Sequence, residues 1–189
     1  MPSRLKRFQN TGQSHFVTFC CYHRRSLFAS ATNRRAFEFA LERVRRSFQL
    51  RVYGYVVMPD HVHLLLSEPQ RQTLADALKS LKQGVSRRLI DGTEHFWQKR
   101  YYDFNVRNYP QFVEKLRYIH RNPVKAGLCE RPEDWGWSSF GHYATGCEGR
   151  VEIESEWTAR RRERAVGELC PAIELPLSSQ PPHSSQNRA

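Results

Sequence analysis

The sequence predicts an α+β fold, a ferredoxin-like split β-α-β-β-α-β antiparallel sheet followed by one added C-terminal helix. Three observations predict it. Short runs rich in aromatic and β-branched residues alternate with longer segments whose apolar residues recur every three or four positions. Their order is strand, helix, strand, strand, helix, strand, helix, the order of the split β-α-β motif. The two central strands are joined directly at Pro59-Asp60, and turn chemistry of that kind makes a hairpin.

The first strand is read over His15 to Tyr22, His-Phe-Val-Thr-Phe-Cys-Cys-Tyr. Arg24 and Arg25 follow at once, either to meet phosphate or to solvate the strand end. Asn33 is the expected cap of a helix reaching about Phe48, in which Phe37, Ala40, Leu41, Val44 and Phe48 form one buried face. Arg34, Arg35, Arg43, Arg45 and Arg46 are read as its solvated side. The hairpin comes next, Tyr53 to Ser67, with Val56-Val57-Met58 and Leu64-Leu65-Leu66 flanking its turn. Thr73 is the expected cap of a helix through about Ile90, stopped by Asp91-Gly92, with a core stripe from Leu74 to Leu89. Lys79, Lys82, Arg87 and Arg88 are placed on its exposed side. Phe96 to Val106 is read as the last strand. Tyr109-Pro110 opens the added helix, with Phe112, Leu116 and Ile119 facing inward, and Asn122-Pro123 is expected to close it, because a residue before proline is pushed out of the α region. Past Gly127, Trp135, Trp137, Phe140 and Tyr143 suggest an irregular segment packed back on the domain. Residues 1–146 are expected to form the folded domain, 147–170 a basic extension containing Arg160-Arg161-Arg162, and 171–189, rich in Ser, Pro and Gln, a disordered tail.

The chain has 189 residues, with 30 Lys+Arg against 19 Asp+Glu and a formal net charge of +11. So basic a folded chain points to a polyanionic partner, nucleic acid first among them. No apolar run approaches the roughly 18–20 residues that span a bilayer, and no apolar stretch of the secretory kind follows the first basic residues. No membrane partner is therefore expected. The cysteines number 5, odd and without a Cys-x-x-Cys pair, which argues against a disulfide framework and suits a reducing cytoplasm.

Two constellations carry chemistry. His61 and His63 alternate with Val62 and Leu64, so both imidazoles leave one face of the second hairpin strand. They are either a pair of metal ligands or two surface histidines on a half-exposed strand. The strongly apolar setting favours the first, because unpaired imidazoles there cost desolvation energy. The second is Tyr118-Ile119-His120-Arg121-Asn122-Pro123, where Tyr118 and Asn122 stand four apart on one helix face. A phenol can attack phosphorus once deprotonated. An amide oxygen can be a third, harder ligand, which moves a two-histidine site from zinc towards Mg²⁺ or Mn²⁺. Read alone, Tyr118 is more often a core aromatic with a satisfied hydroxyl and Asn122 more often a C-terminal helix cap. His120 leaves the helix on another side and is placed behind the site or facing DNA.

Tyr-Val-Val-Met-Pro-Asp-His-Val-His-Leu-Leu together with Tyr-Ile-His-Arg-Asn-Pro-Val-Lys-Ala-Gly resembles the single-tyrosine HUH transposases, small enzymes that move insertion sequences as single-stranded DNA. The second motif is most similar to the REP-associated tyrosine transposase branch, which acts on repetitive extragenic palindromes. The resemblance runs from about His15 to Tyr143. It implies that His61 and His63 bind a divalent metal, Mg²⁺ or Mn²⁺, that Asn122 completes the site, and that Tyr118 is the nucleophile of a transposase forming a 5′-phosphotyrosine. It also implies single-stranded or hairpin DNA from palindromic repeats as partner and a bacterial cytoplasm as the compartment. Either a monomer or a homodimer fits, since the wider family often swaps the tyrosine helix. Arg24, Arg25, Arg107, Arg117, Arg121 and Lys125 lie nearest the motifs and are candidate DNA contacts. Other readings are a metal-dependent nuclease using water, a relative that binds hairpins without cutting them, and a replication or conjugation initiator.

Overall fold

Alternation along the first strand divides the molecule into two cores. In the computed structural model, which describes residues 12–90 and 95–169, β1 spans Ser14–Cys20. Val17 and Phe19 point to one side and Phe16 to the other, as side chains on a pleated strand must. α1 (Ala31–Phe48) and α2 (Leu74–Leu89) cover the first side. β2 (Val52–Val57), β3 (His61–Leu66) and β4 (Tyr102–Val106) complete an antiparallel sheet in the order β2-β3-β1-β4. α3 (Tyr109–Lys125) packs alone on the second side. This is the α+β arrangement expected from the element order.

The larger core lies under α1 and α2, where Phe37, Leu41, Leu81 and Val85 meet Val62, Leu64 and Leu66 of β3. The smaller one lies under α3, where Ile119 meets Phe16, Val56, Leu65 and Trp135. Burying one such aliphatic side chain contributes about 1.5–3 kcal/mol. α3 comes very close to β2 because Gly54 has no side chain. A Cβ there would sit 2.6 Å from Leu116 Cδ1. Behind the sheet edge, Val57 N–H donates to Trp137 O and Ser139 N–H donates to Tyr55 O, so the segment after α3 closes the open side of β2. α4 (Phe140–Thr145) and α5 (Glu156–Leu169) follow. Val151 and Ile153 are buried in the larger core, and Glu154 N–H donates to Val52 O. Arg160 pairs with Glu156, Arg161 with Glu148, and Arg162 with both Glu152 and Glu154. No helix among the described residues is long and apolar enough to cross a membrane.

Several local expectations change. Ser30, not Asn33, caps α1: its hydroxyl accepts from Asn33 N–H, while the Asn33 amide donates to Leu27 O. Both residues are cap types, and the one three positions upstream wins because its oxygen meets the free N–H of the first turn. Arg34 is not solvated. It is 8% exposed, its guanidinium stacks 4.7 Å from the Trp135 ring and 4.3 Å from that of Trp137, and it donates to Ala29 O. Lys82 is half-buried, donating to Gln98 O. The last strand begins at Tyr102 rather than Phe96. Thr18 faces Tyr102 while Cys21 faces Trp97, so residues 99–101 bulge out of the pairing. α3 does not stop at Pro123 but runs two residues beyond it. Pro123 is buried, and Ala126 and Leu128 N–H cap the carbonyls of Asn122 and Pro123, so the missing proline N–H costs the ladder one bond near its end. Asp91-Gly92 and the tail 171–189 lie outside the described residues. Cys20, Cys21, Cys129 and Cys147 are free thiols.

His120 faces neither solvent nor the His61–His63 pair. It is buried between Phe140 and Tyr143, with Nε2 2.8 Å from Ser139 Oγ. Burial pushes its pKa down to about 4. Above pH 6.5 the ring is neutral whether folded or not. Below that, the unfolded chain takes the proton first, so stability falls with pH until about 4. Between pH 6.5 and 5 we expect the unaltered protein to lose about 2 kcal/mol more than His120→Gln in urea unfolding. Parallel pH profiles of the two proteins would refute this.

Candidate active site

β3 and α3 bring the two sequence constellations together on one face of the sheet. His61 and His63 project towards α3, and Tyr118 and Asn122 project back from it. With Phe16, Thr18, Arg24, Tyr102 and Lys125 they line an open recess of about 540 Å³.

The imidazoles are tightly set. His61 Nδ1 lies 2.6 Å from Asp60 Oδ1, and His63 Nδ1 lies 2.7 Å from Thr18 Oγ1. A carboxylate only accepts, so His61 carries its proton on Nδ1 and turns a lone pair on Nε2 inward. Thr18 Oγ1 can accept from His63 Nδ1–H or donate to a bare Nδ1. The two Nε2 atoms then converge at 3.1 Å. At that distance they either share a proton or hold a cation between two lone pairs. Adjacent ligands at about 2.1 Å from an octahedral ion stand about 3.0 Å apart, so this pair fits such an ion. His63 is 4% exposed, and burial, with the charges of His61 and Arg24 adding to it, pushes its pKa down to about 3. It is therefore neutral at ordinary pH, with a nitrogen lone pair to offer. Burial alone would raise the Asp60 carboxyl, but hydrogen bonds from His61 and Arg24 outweigh it and hold the group below its usual range. No group of three or more His, Cys, Asp or Glu among the described residues is placed to hold a metal. Among the residues lining the recess, Asn122, itself buried, supplies a side-chain carbonyl oxygen beside the hydroxyls of Thr18, Tyr102 and Tyr118.

The Tyr118 ring stands edge-on to His63 at 5.1 Å and to Phe16 at 5.8 Å, and is 39% exposed. Lys125 Nζ lies 5.7 Å from its centre. Arg24 reaches the same recess, its guanidinium 3.1 Å from Asp60 Oδ2. Both His23 and Arg24 adopt left-handed backbone, with φ of 51° and 56°. Two such residues in succession are uncommon outside functional turns. Of the other candidate DNA contacts, Arg117 and Arg121 are exposed on the flank of α3 beside Tyr118. Arg25 and Arg107 are exposed but do not line the recess, and Arg107 precedes the far end of α3.

Sequence reasoning missed Thr18 and Phe16, whereas Tyr102 was legible as one of an adjacent tyrosine pair of which at most one could face His61 and His63. Thr18 lies opposite His63 in the β1–β3 register, a cross-strand relation that no local pattern carries. Asp60 was legible only as a turn residue, although its adjacency to His61 was a usable signal.

Known proteins share this chain's fold and family. A REP-associated tyrosine transposase of Escherichia coli (strain K12) is 26% identical over 140 residues, which cover 73% of this chain and 82% of that protein. A solved structure of a REP-associated tyrosine transposase bound to a REP hairpin has the same fold, with a TM-score of 0.68, 24% identity, and coverage of 81% of this chain and 92% of that one. The family model of IS200-like transposases matches residues 9–122, a span that holds both histidines, Tyr118 and Asn122. On that match, over more than half its length, the chain belongs to the IS200-like transposases.

Proposed function

We propose that this protein is a DNA strand transferase that cleaves and rejoins single-stranded or hairpin DNA through a 5′-phosphotyrosyl link on Tyr118. The observation that carries this reading is the convergence of His61 and His63 Nε2 in the recess that holds the Tyr118 ring. The Tyr118 phenol oxygen attacks the scissile phosphorus, the bond to the 3′ oxygen breaks, and a free 3′-hydroxyl leaves with a proton. The phenol's proton passes to water in the open recess. Lys125, whose Nζ lies 5.7 Å from the ring centre, and Arg24, which lines the same recess, grip the phosphate oxygens. The link keeps the energy of the phosphodiester, so a second 3′-hydroxyl can reverse the step without ATP. His61, His63 and Asn122 would hold Mg²⁺ or Mn²⁺, which supplies Lewis-acid polarisation of the phosphate when bound. Hairpins of palindromic repeats are the substrate favoured by the similarity to REP-associated relatives. Arg117 and Arg121, together with Arg25 and Arg107, are offered as contacts to the flanking backbone.

The test uses hairpin DNA labelled on either side of the cut, incubated with protein and Mn²⁺ and then denatured. Label should stay with protein only when it lies 3′ of the cut, and label retained from the 5′ side would refute the proposed polarity. Binding should also weaken steeply with salt, the slope falling by about 0.7 to 0.9 for each phosphate contact removed. A flat response between 50 and 200 mM salt would mean that the +11 charge is not the binding determinant.

A further inference from the structure

The bulge at residues 99–101 creates a second surface. Tyr102 turns towards the recess, whereas Tyr101 turns to the opposite face of the sheet, against α2. There Lys99 and Tyr101 join Trp97, Lys79, Lys82 and Arg87 in lining a groove of about 490 Å³, within the range of nucleotide-sized sites. None of the residues lining it is acidic. The contrast with α5 is direct, because Arg160, Arg161 and Arg162 are each matched to a glutamate. Lys82 is the sharpest sign. Its ammonium is half-buried and rests on Gln98 O at 2.9 Å, while Trp97 Nε1–H donates to Lys82 O. Desolvation lowers its pKa, and a cation held this way is favoured by a nearby anion.

We infer that this groove binds a single-stranded stretch of DNA, with bases stacked on Trp97 and Tyr101 and phosphates met by Lys79, Lys82, Arg87 and Lys99. Aromatic faces between cations suit unpaired bases, which offer a π-face that a duplex hides. The inference rests on the DNA reading of the recess. It adds that the strand continues round the β4 edge, from Tyr102 on one face to Tyr101 on the other.

The experiment compares Lys79→Glu/Lys99→Glu with Arg160→Glu/Arg164→Glu, which changes the net charge equally on α5. Each full-length protein is titrated with a DNA hairpin bearing an oligothymidine tail and with the same hairpin blunt-ended. The groove variant should bind the tailed hairpin at least tenfold more weakly, with a shallower salt slope, and should bind the blunt hairpin much as the unaltered chain does. Unchanged affinity for the tailed hairpin overturns the groove, as does an equal loss on both hairpins or an equal loss in the α5 variant. If the unaltered chain bound neither oligonucleotide, the DNA reading itself would fall, and the groove with it.

Discussion

Tyr118→Phe should lose DNA cleavage by about four orders of magnitude or more, the scale seen when a nucleophile is removed from a group that acts as a unit. The covalent protein–DNA band should disappear with it. Tyr102 is the rival to exclude. It lines the same recess and is 50% exposed, and it approaches across Phe16, with ring centres 6.4 Å apart. Tyr118 instead touches His63 directly and has Asn122 one helical turn away. Tyr102→Phe should therefore keep the band. A band that survives Tyr118→Phe would move the nucleophile elsewhere. Cleavage intact without any band would hand the reaction to water.

His61→Ala/His63→Ala should abolish cleavage while hairpin affinity changes little, because binding rests on phosphate contacts spread over a basic surface. Mn²⁺ titration should show the loss directly, and it should exceed the 10–100-fold that outer partners of metal ligands typically cost. Thr18→Val is the graded case. It removes the oxygen hydrogen-bonded to His63 Nδ1 and should weaken Mn²⁺ binding about tenfold, at the lower end of that range. Full cleavage by the unaltered chain in EDTA would sink the metal role.

The periodic elements were legible because local rules agree with tertiary packing there. The core stripe of α2, its Thr73 cap and the shared face of His61 and His63 all follow from spacing. Other features are properties of pairs far apart in the chain. Arg34 looks like a solvated arginine until Trp135 and Trp137 return to cover it. The aromatic run from Phe96 carries no Gly or Pro to mark the bulge at 99–101, and it is the register with β1 that forces it. Likewise the sequence places Tyr118 with Asn122 and His61 with His63, but only the packing of α3 on the sheet joins the two pairs.

Ser139 makes the boundary of the matched region a poor place to cut. Its hydroxyl accepts from Tyr55 N–H in β2 and pairs with His120 in α3, so one side chain ties the helix of Tyr118 to the sheet. A truncated chain ending near residue 122, where the family match stops, would retain both histidines, Tyr118 and Asn122. It would lack Ser139, the Trp135 ring under α3 and the strand-like cover on β2. Such a fragment would hold all four proposed site residues and little of what aims them. A minimal domain for engineering should therefore extend at least through Ile153, whose side chain fills the opposite core.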